Sequence, residues 1–355
     1  LRDLYMTCPA IRGPGGIATY ARNILDALAP ESVVVLSHGR SREVADLPRN
    51  ARFLGSPETR SGFSARLAYD YLTRPPTVFL FAHVGLTAPL ALLPRRRDHR
   101  VVLIGHGLEI WPKLTARRGA GLSHVDSAVF TTHYNLALFQ ARNGNRLPPK
   151  ATLEVIPLSA AREQEGSTPS PVPNGARKRV VCVTRLVSEE PLKGLPALIG
   201  AARHLPRDWE IVIVGDGESR GDLQRLATKL AVSHRVQFTG WLSDADRTRA
   251  LTEAQVFCLP SAQEGFGIVF LEAMVAGRPC VGAAAGAVPE VVRSEVGELF
   301  PYDDEAAMAR AILRAHERLH SGDLTPTSIR AFYDSTYSWS RFRKAWNGYV
   351  AGLRT

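Results

Sequence analysis

Two glutamates, Glu264 and Glu272, carry the densest chemistry in the chain. They lie in the stretch SAQEGFGIVFLEAMVAGRPCVGAAAG, residues 261–286. The apolar run 255–260 before it reads as a buried strand. Ile268, Val269, Leu271, Ala273, Met274 and Val275 then recur at helical spacing. Gly277 and Pro279 stop that helix, and Val281 opens another short strand. Glu264 falls in the loop before the helix and Glu272 inside it. Their spacing is a little over two helical turns, so both can lie near one face. Gly265 and Gly267 let backbone amides approach a ligand closely, and free N–H groups at a helix start attract anions. The segment therefore offers amides to phosphate and carboxylates to hydroxyls, which suits a ligand with a diphosphate between two polyols.

Two further places have the residue types for the same work. Gly15 and Gly16 sit in a glycine-rich turn, Arg12–Tyr20, between the strand 1–8 and a helix expected over 21–28. A turn of that kind can cradle phosphate, although taken alone it reads first as a plain tight turn. His106 follows the strand 100–104, at a C-terminal strand end where open α/β sheets bind ligands. His83 ends another strand, 77–82, and reads as a satisfied structural histidine.

The phrase Glu264-Gly-Phe-Gly-Ile-Val-Phe-Leu-Glu272-Ala resembles the E-x7-E motif of retaining GT-B glycosyltransferases, specifically glycosyltransferase family 4. A bare pair of glutamates means little. Gly-Phe-Gly after the first, Ala after the second and Gly-x-Pro-Cys-Val at the helix end make the match specific. Other segments resemble the family in order. They are Gly15-Gly16-Ile17, His106-Gly-Leu-Glu109, Arg185-Leu186 with Lys193-Gly194, and Gly215-Asp-Gly-Glu218. Thr184 replaces a family glycine, and Leu158-Ser159 stands where the family has Asn-Gly.

The resemblance implies an α/β protein of GT-B fold, with two Rossmann-like domains whose parallel sheets face a central cleft. It implies a retaining transferase that moves a hexosyl unit from a UDP- or GDP-sugar to an acceptor hydroxyl. Arg185 and Lys193 would neutralise the leaving diphosphate, and such preorganised stabilisation is often the largest catalytic contribution. Gly15, Gly16, Gly215, Ile268 and Val269 would line the donor. Glu272 would accept the ribose hydroxyls. Glu264, Gly265, Phe266 and Gly267 would hold the sugar, and His106 would orient it. No metal is expected, because two cations already meet the diphosphate.

Alternating strands and helices throughout indicate parallel sheets. Residues 161–176, polar and rich in Ser, Pro and Gly, read as a linker. It separates an acceptor-binding domain, 1–160, from a nucleotide-sugar domain, 177–336. The tail 337–355 reads as an amphipathic helix, which in GT-B proteins crosses back to the first domain.

At 355 residues, with 45% hydrophobic and 22% charged content, the chain fits two ordinary globular domains. The four cysteines form no metal-ligand spacing and read as reduced, buried thiols of a cytoplasmic protein. No apolar run is long enough to span a bilayer. No signal peptide is read, and without an initiator Met a few leading residues are expected to be missing. The net charge of +10 is lopsided: residues 1–160 hold 20 Lys+Arg against 11 Asp+Glu, the remainder 24 against 23. A basic first half suggests an acidic partner, such as an anionic membrane at the inner face and a lipid-linked glycan or polysaccharide precursor. Nucleic acid is not expected, since the arginine clusters lack interleaved aromatics. The competing functions are transfer to a small natural-product acceptor, nucleotide-sugar epimerisation, and a binding protein that has kept the fold.

Overall fold

The computed structural model describes the chain except residues 1, 14, 40–45, 161–167, 170, 173, 174, 176, 188–192 and 355. Most of the expected linker and part of the loop between Arg185 and Lys193 therefore lie outside the described residues. The chain divides into two compact units, Leu1–Leu158 with Trp339–Thr355, and Ser159–Ser338.

The first unit begins with β1 (Asp3–Pro9), α1 (Gly16–Ala27), β2 (Val33–His38), β3 (Ala51–Gly55) and α2 (Arg60–Thr73). It continues through β4 (Thr77–Phe81), β5 (Arg100–Gly105), β6 (Ser127–Phe130), α3 (His133–Asn143) and β7 (Thr152–Val155). Its seven strands run parallel in the order β3-β2-β1-β4-β5-β6-β7. Strands such as Val-Phe-Leu-Phe in β4 are apolar at every position because both sheet faces are covered. Tyr5, Leu67, Tyr71, Phe79, Phe81 and Phe130 form part of one buried cluster on this sheet.

The second unit carries β8 (Lys178–Val183), α4 (Leu195–Ala201), β9 (Trp209–Val214), α5 (Arg220–Lys229), β10 (Val236–Gly240) and α6 (Asp244–Thr252). Then come β11 (Val256–Leu259), α7 (Ile268–Val275), β12 (Cys280–Ala283), α8 (Val288–Val291), β13 (Gly297–Phe300), α9 (Glu305–Ser321) and α10 (Pro326–Tyr337). Its six strands are also parallel, ordered β10-β9-β8-β11-β12-β13. In each sheet the strand order reverses once, between β1 and β4 and between β8 and β11. Those reversals open the crevices where α/β sheets take ligands.

The last helix, α11 (Trp339–Arg354), belongs to the first unit. Trp346 is fully buried and meets Tyr20 edge-on at 6.2 Å. Asn347 donates to the Ala27 carbonyl at 2.8 Å, and Arg354 to the Arg2 carbonyl at 2.8 Å.

Three elements differ from the sequence reading. Helix α1 starts at Gly16 rather than 21, because Gly15 serves as its N-cap and Gly16 takes helical geometry. Strand β3 lacks an apolar run to announce it: it is a half-buried edge strand. Helix α10 is separate from the tail, and a capping box of Thr325 and Ser328 with Pro326 at the first turn starts it. All four cysteines are buried free thiols. No helix among the described residues is long and apolar enough to cross a membrane.

Candidate functional site

In the second unit the candidate residues gather at the C-terminal ends of β8 and β11, the strands flanking the reversal. Arg185 follows β8 and is exposed. Lys193 comes just before α4, and its Nζ lies 2.8 Å from Oε1 of Glu264, in the loop after β11. Both side chains are largely shielded from solvent. Gly194 makes this approach possible. Its φ is +68°, and a Cβ there would lie 2.4 Å from the Pro260 carbonyl oxygen. The lysine's backbone thereby packs directly on the end of β11.

Gly267 caps α7 with φ +81° and offers no side chain to the first helical turn. The amides of Ile268 and Val269 thus form the unfilled end of the helix dipole. Phe266 turns its ring onto Tyr337, at 5.6 Å, so only its backbone faces the loop. The Ala287 amide donates to the Glu264 carbonyl at 3.0 Å and fixes the loop from behind. Gly215 follows β9, and its amide donates to the Gly240 carbonyl at 3.0 Å.

Glu272 lies on the second turn of α7 and does not share a cation with Glu264. Its Oε2 is 3.1 Å from Nε of Arg247, on α6, and a second guanidinium nitrogen donates to Oε1 at 3.3 Å. Burial raises the Glu272 pKa, and Arg247 opposes that rise. Helix α7 begins only at Ile268, so Glu264 is outside it and the two carboxylates take different partners. Sequence reading missed Arg247, which stands in a polar helix with no motif to mark it.

In the first unit Gly15 and Gly16 are exposed at the start of α1, which has no side-chain cap. Arg22 reaches back from α1 to the carbonyls of Ile11 at 2.6 Å and Gly13 at 3.0 Å, clamping the glycine-rich loop. His106 is held on three sides. Its backbone amide donates to Glu109 at 2.6 Å, and its carbonyl accepts from Asn135 at 2.9 Å. Its Nε2 lies 3.0 Å from the Ala82 carbonyl, so that nitrogen carries the proton. Nδ1 is left as the acceptor. Burial lowers the ring's pKa and favours this neutral form. Asn135 is the hub sequence reading overlooked: it also donates to Thr131 and accepts from the Trp111 indole at 2.8 Å. His83 accepts the Gly85 amide at 2.9 Å and caps the short 3-10 turn 84–86.

Residues 177–318, within the second unit, match the model of the family described as glycosyl transferases group 1. Sucrose-phosphate synthase from Thermosynechococcus elongatus superposes with a TM-score of 0.79 at 19% identity, over 99% of both chains. Anabaena HepE, solved in complex with UDP, gives 0.81 at 16% identity, over 99% of this chain and all of that one. The chain has the GT-B fold, and its second unit matches the glycosyl transferases group 1 family. Among curated relatives, this chain is 26% identical to a GDP-mannose-dependent monoacylated alpha-(1-6)-phosphatidylinositol monomannoside mannosyltransferase of Corynebacterium glutamicum, covering 92% of this chain and 91% of the relative. It is 32% identical to a GDP-mannose-dependent alpha-(1-6)-phosphatidylinositol monomannoside mannosyltransferase of Mycolicibacterium smegmatis, over 64% of this chain and 65% of that one.

Proposed function

We propose that this glycosyltransferase moves a hexosyl unit from a nucleotide-diphosphate sugar to a lipid-linked glycan, with retention of anomeric configuration. GDP-mannose is the first donor to try, because the relatives named above use it. The observation that carries the reading is the pair of cation-matched carboxylates beside an uncapped helix start at the β8/β11 reversal. Lys193 and Arg185 meet the diphosphate, as point charge and planar fork. The first amides of α7 add their dipole. Glu272 accepts the ribose hydroxyls, and Glu264 with the Gly265–Gly267 backbone holds the sugar. The family resemblance assigns Gly16 to the diphosphate and His106 to the transferred sugar. Two cations serve the charge a divalent metal would otherwise meet, so activity is expected to persist in EDTA.

The acceptor side rests on the basic first unit. Tyr69 and Leu72 on α2 and Leu92 are 64%, 46% and 90% exposed. Arg96 donates to the carbonyls of Tyr71, Leu72 and Arg74, which draws the Arg95–Arg97 run to the end of α2. Apolar side chains beside arginines suit an anionic bilayer surface.

The test is thermal stability against UDP, GDP, ADP, dTDP and their sugars, without metal. A nucleotide at 100-fold over its Kd stabilises by about 2.7 kcal/mol. A shift with one base, lost in Arg185→Ala and Lys193→Met, supports the donor site. No shift with any nucleotide overturns it. With the donor known, product stereochemistry by NMR decides retention, and turnover without acceptor would redirect the reading to an epimerase.

A further inference from the structure

The contact between Arg247 and Glu272 has more geometry than a chance ion pair. Both guanidinium contacts fall on one carboxylate, Nε to Oε2 at 3.1 Å and a terminal nitrogen to Oε1 at 3.3 Å. The third guanidinium nitrogen is 2.9 Å from Asp244 on the first turn of α6. Ser243 caps that turn by accepting the Asp246 amide at 3.1 Å, which fixes the helix carrying Arg247. The Glu272 side chain is only 13% exposed.

A carboxylate offers about four lone-pair positions, two on each oxygen. Arg247 hydrogen-bonds Oε1, while its Nε pairs with Oε2 by charge and leaves that buried oxygen without a hydrogen-bond partner. One position on Oε1 and both on Oε2 then remain, and two neighbouring hydroxyls of a ribose can fill one on each oxygen. A protonated Glu272 cannot do this, since one oxygen becomes a donor.

We propose that Arg247 is a positioning residue of the donor site, holding the Glu272 carboxylate ionised and aimed so that it accepts both ribose hydroxyls. This rests on the reading of Glu272 as the ribose acceptor. The ionisable groups that bear on Glu272 are Arg247 and Asp244, both on α6. Burial and Asp244 favour the protonated acid, and Arg247 opposes them. Removing the arginine raises the Glu272 pKa further, so nucleotide affinity fails as pH falls through it.

The experiment is calorimetric titration of GDP and of UDP from pH 5.5 to 8.5. Wild type is compared with Arg247→Leu, Arg247→Gln, Arg247→Lys and Glu272→Gln. Affinities are read as ratios to wild type, which cancels the nucleotide's own titration. Arg247→Leu and Arg247→Gln are expected to weaken binding about tenfold per pH unit below the Glu272 pKa, and to recover toward pH 8.5. Arg247→Lys restores the flat profile, because the charge returns, though with lower affinity. Glu272→Gln binds weakly at every pH. Inorganic pyrophosphate, which has no ribose, binds all variants alike. A loss of the same factor at every pH in Arg247→Leu and Arg247→Gln, with Glu272→Gln still weak, overturns the role of Arg247 alone. Wild-type affinity in Glu272→Gln overturns the ribose reading and the proposal with it. Melting curves confirm that each variant is folded, and the glutamine variant keeps the test open if the leucine variant is not.

Discussion

Lowering the pH should unlock the second unit at His316. This histidine lies on α9 and is 8% exposed. Its ring meets Trp209 edge-on at 5.0 Å and lies 4.2 Å from His320. Burial, then His320 and Lys178, push its pKa from 6.5 down to about 4, against a smaller pull from Asp208. The folded pKa is below the unfolded one, so the unfolded chain takes up the proton first. The stabilising contribution is full above about pH 6.5 and is lost as pH falls toward 4. A depression of that size corresponds to about 3 kcal/mol, a large share of a typical domain's margin. Glu272 works in the opposite direction, since burial raises its pKa, so wild type alone would mislead. Urea unfolding of wild type and His316→Phe at pH 7.5, 5.5 and 4.5 isolates the histidine, because Glu272 cancels in the difference. Phenylalanine keeps an aromatic ring against Trp209 but cannot titrate. The phenylalanine variant should gain about 2.5 kcal/mol relative to wild type between pH 7.5 and 4.5. An NMR titration placing His316 near 6.5, or equal pH slopes in the two proteins, would refute the reasoning.

The remaining predictions concern the first unit. Trp346→Ala should cost about 3–5 kcal/mol, because the indole is fully buried against Tyr20 and Phe342. Denaturant unfolding followed in the first unit measures it, and a loss under 1 kcal/mol would mean that α11 is not integral to that unit. Vesicle flotation should show binding to anionic but not zwitterionic lipid, weaker at 0.5 M salt, since exposed charges are screened within about a Debye length. Leu72→Ser with Leu92→Ser should reduce it without changing nucleotide affinity. Binding that ignores lipid charge and salt would remove the membrane from the proposed function.

How much of this was readable in the chain depended on whether the physics was local. Runs such as 33–36, 78–81, 101–104 and 211–214 announce central parallel strands, because burial on both faces demands apolar residues throughout. Ala51–Gly55 sits at a sheet edge, is half-buried and carries no such run. Helix α10 buries only Ile329, Arg330, Tyr333 and Tyr337 on one side, and its clearest signal was Thr325-Pro326 with Ser328. The glutamates and the lysine were visible as types in a motif. Their pairing was not, because Lys193 and Glu264 stand 71 residues apart and meet only through the packing of Gly194 on Pro260. Arg247 and Asn135 act through partners supplied by other elements, and a sequence has no notation for that.

The two pairs differ in a way that bears on how charge is managed. Lys193 has three donors and spends one on Glu264. Arg247 places one nitrogen in a hydrogen bond to Glu272, a second in ion-pair contact with it and the third beside Asp244, which leaves it a fixture rather than a mobile cation. On the proposed function the lysine would meet the end of the donor where charge builds as the bond to the sugar breaks, since a flexible point charge can follow that oxygen. The arginine suits the ribose end, where nothing changes during reaction and a rigid plane is an advantage. On this argument the residue types are matched to their positions. On the proposed function, exchanging them would keep the net charge but weaken both contacts, because the lysine would aim the carboxylate less firmly and the arginine would follow a leaving group less freely.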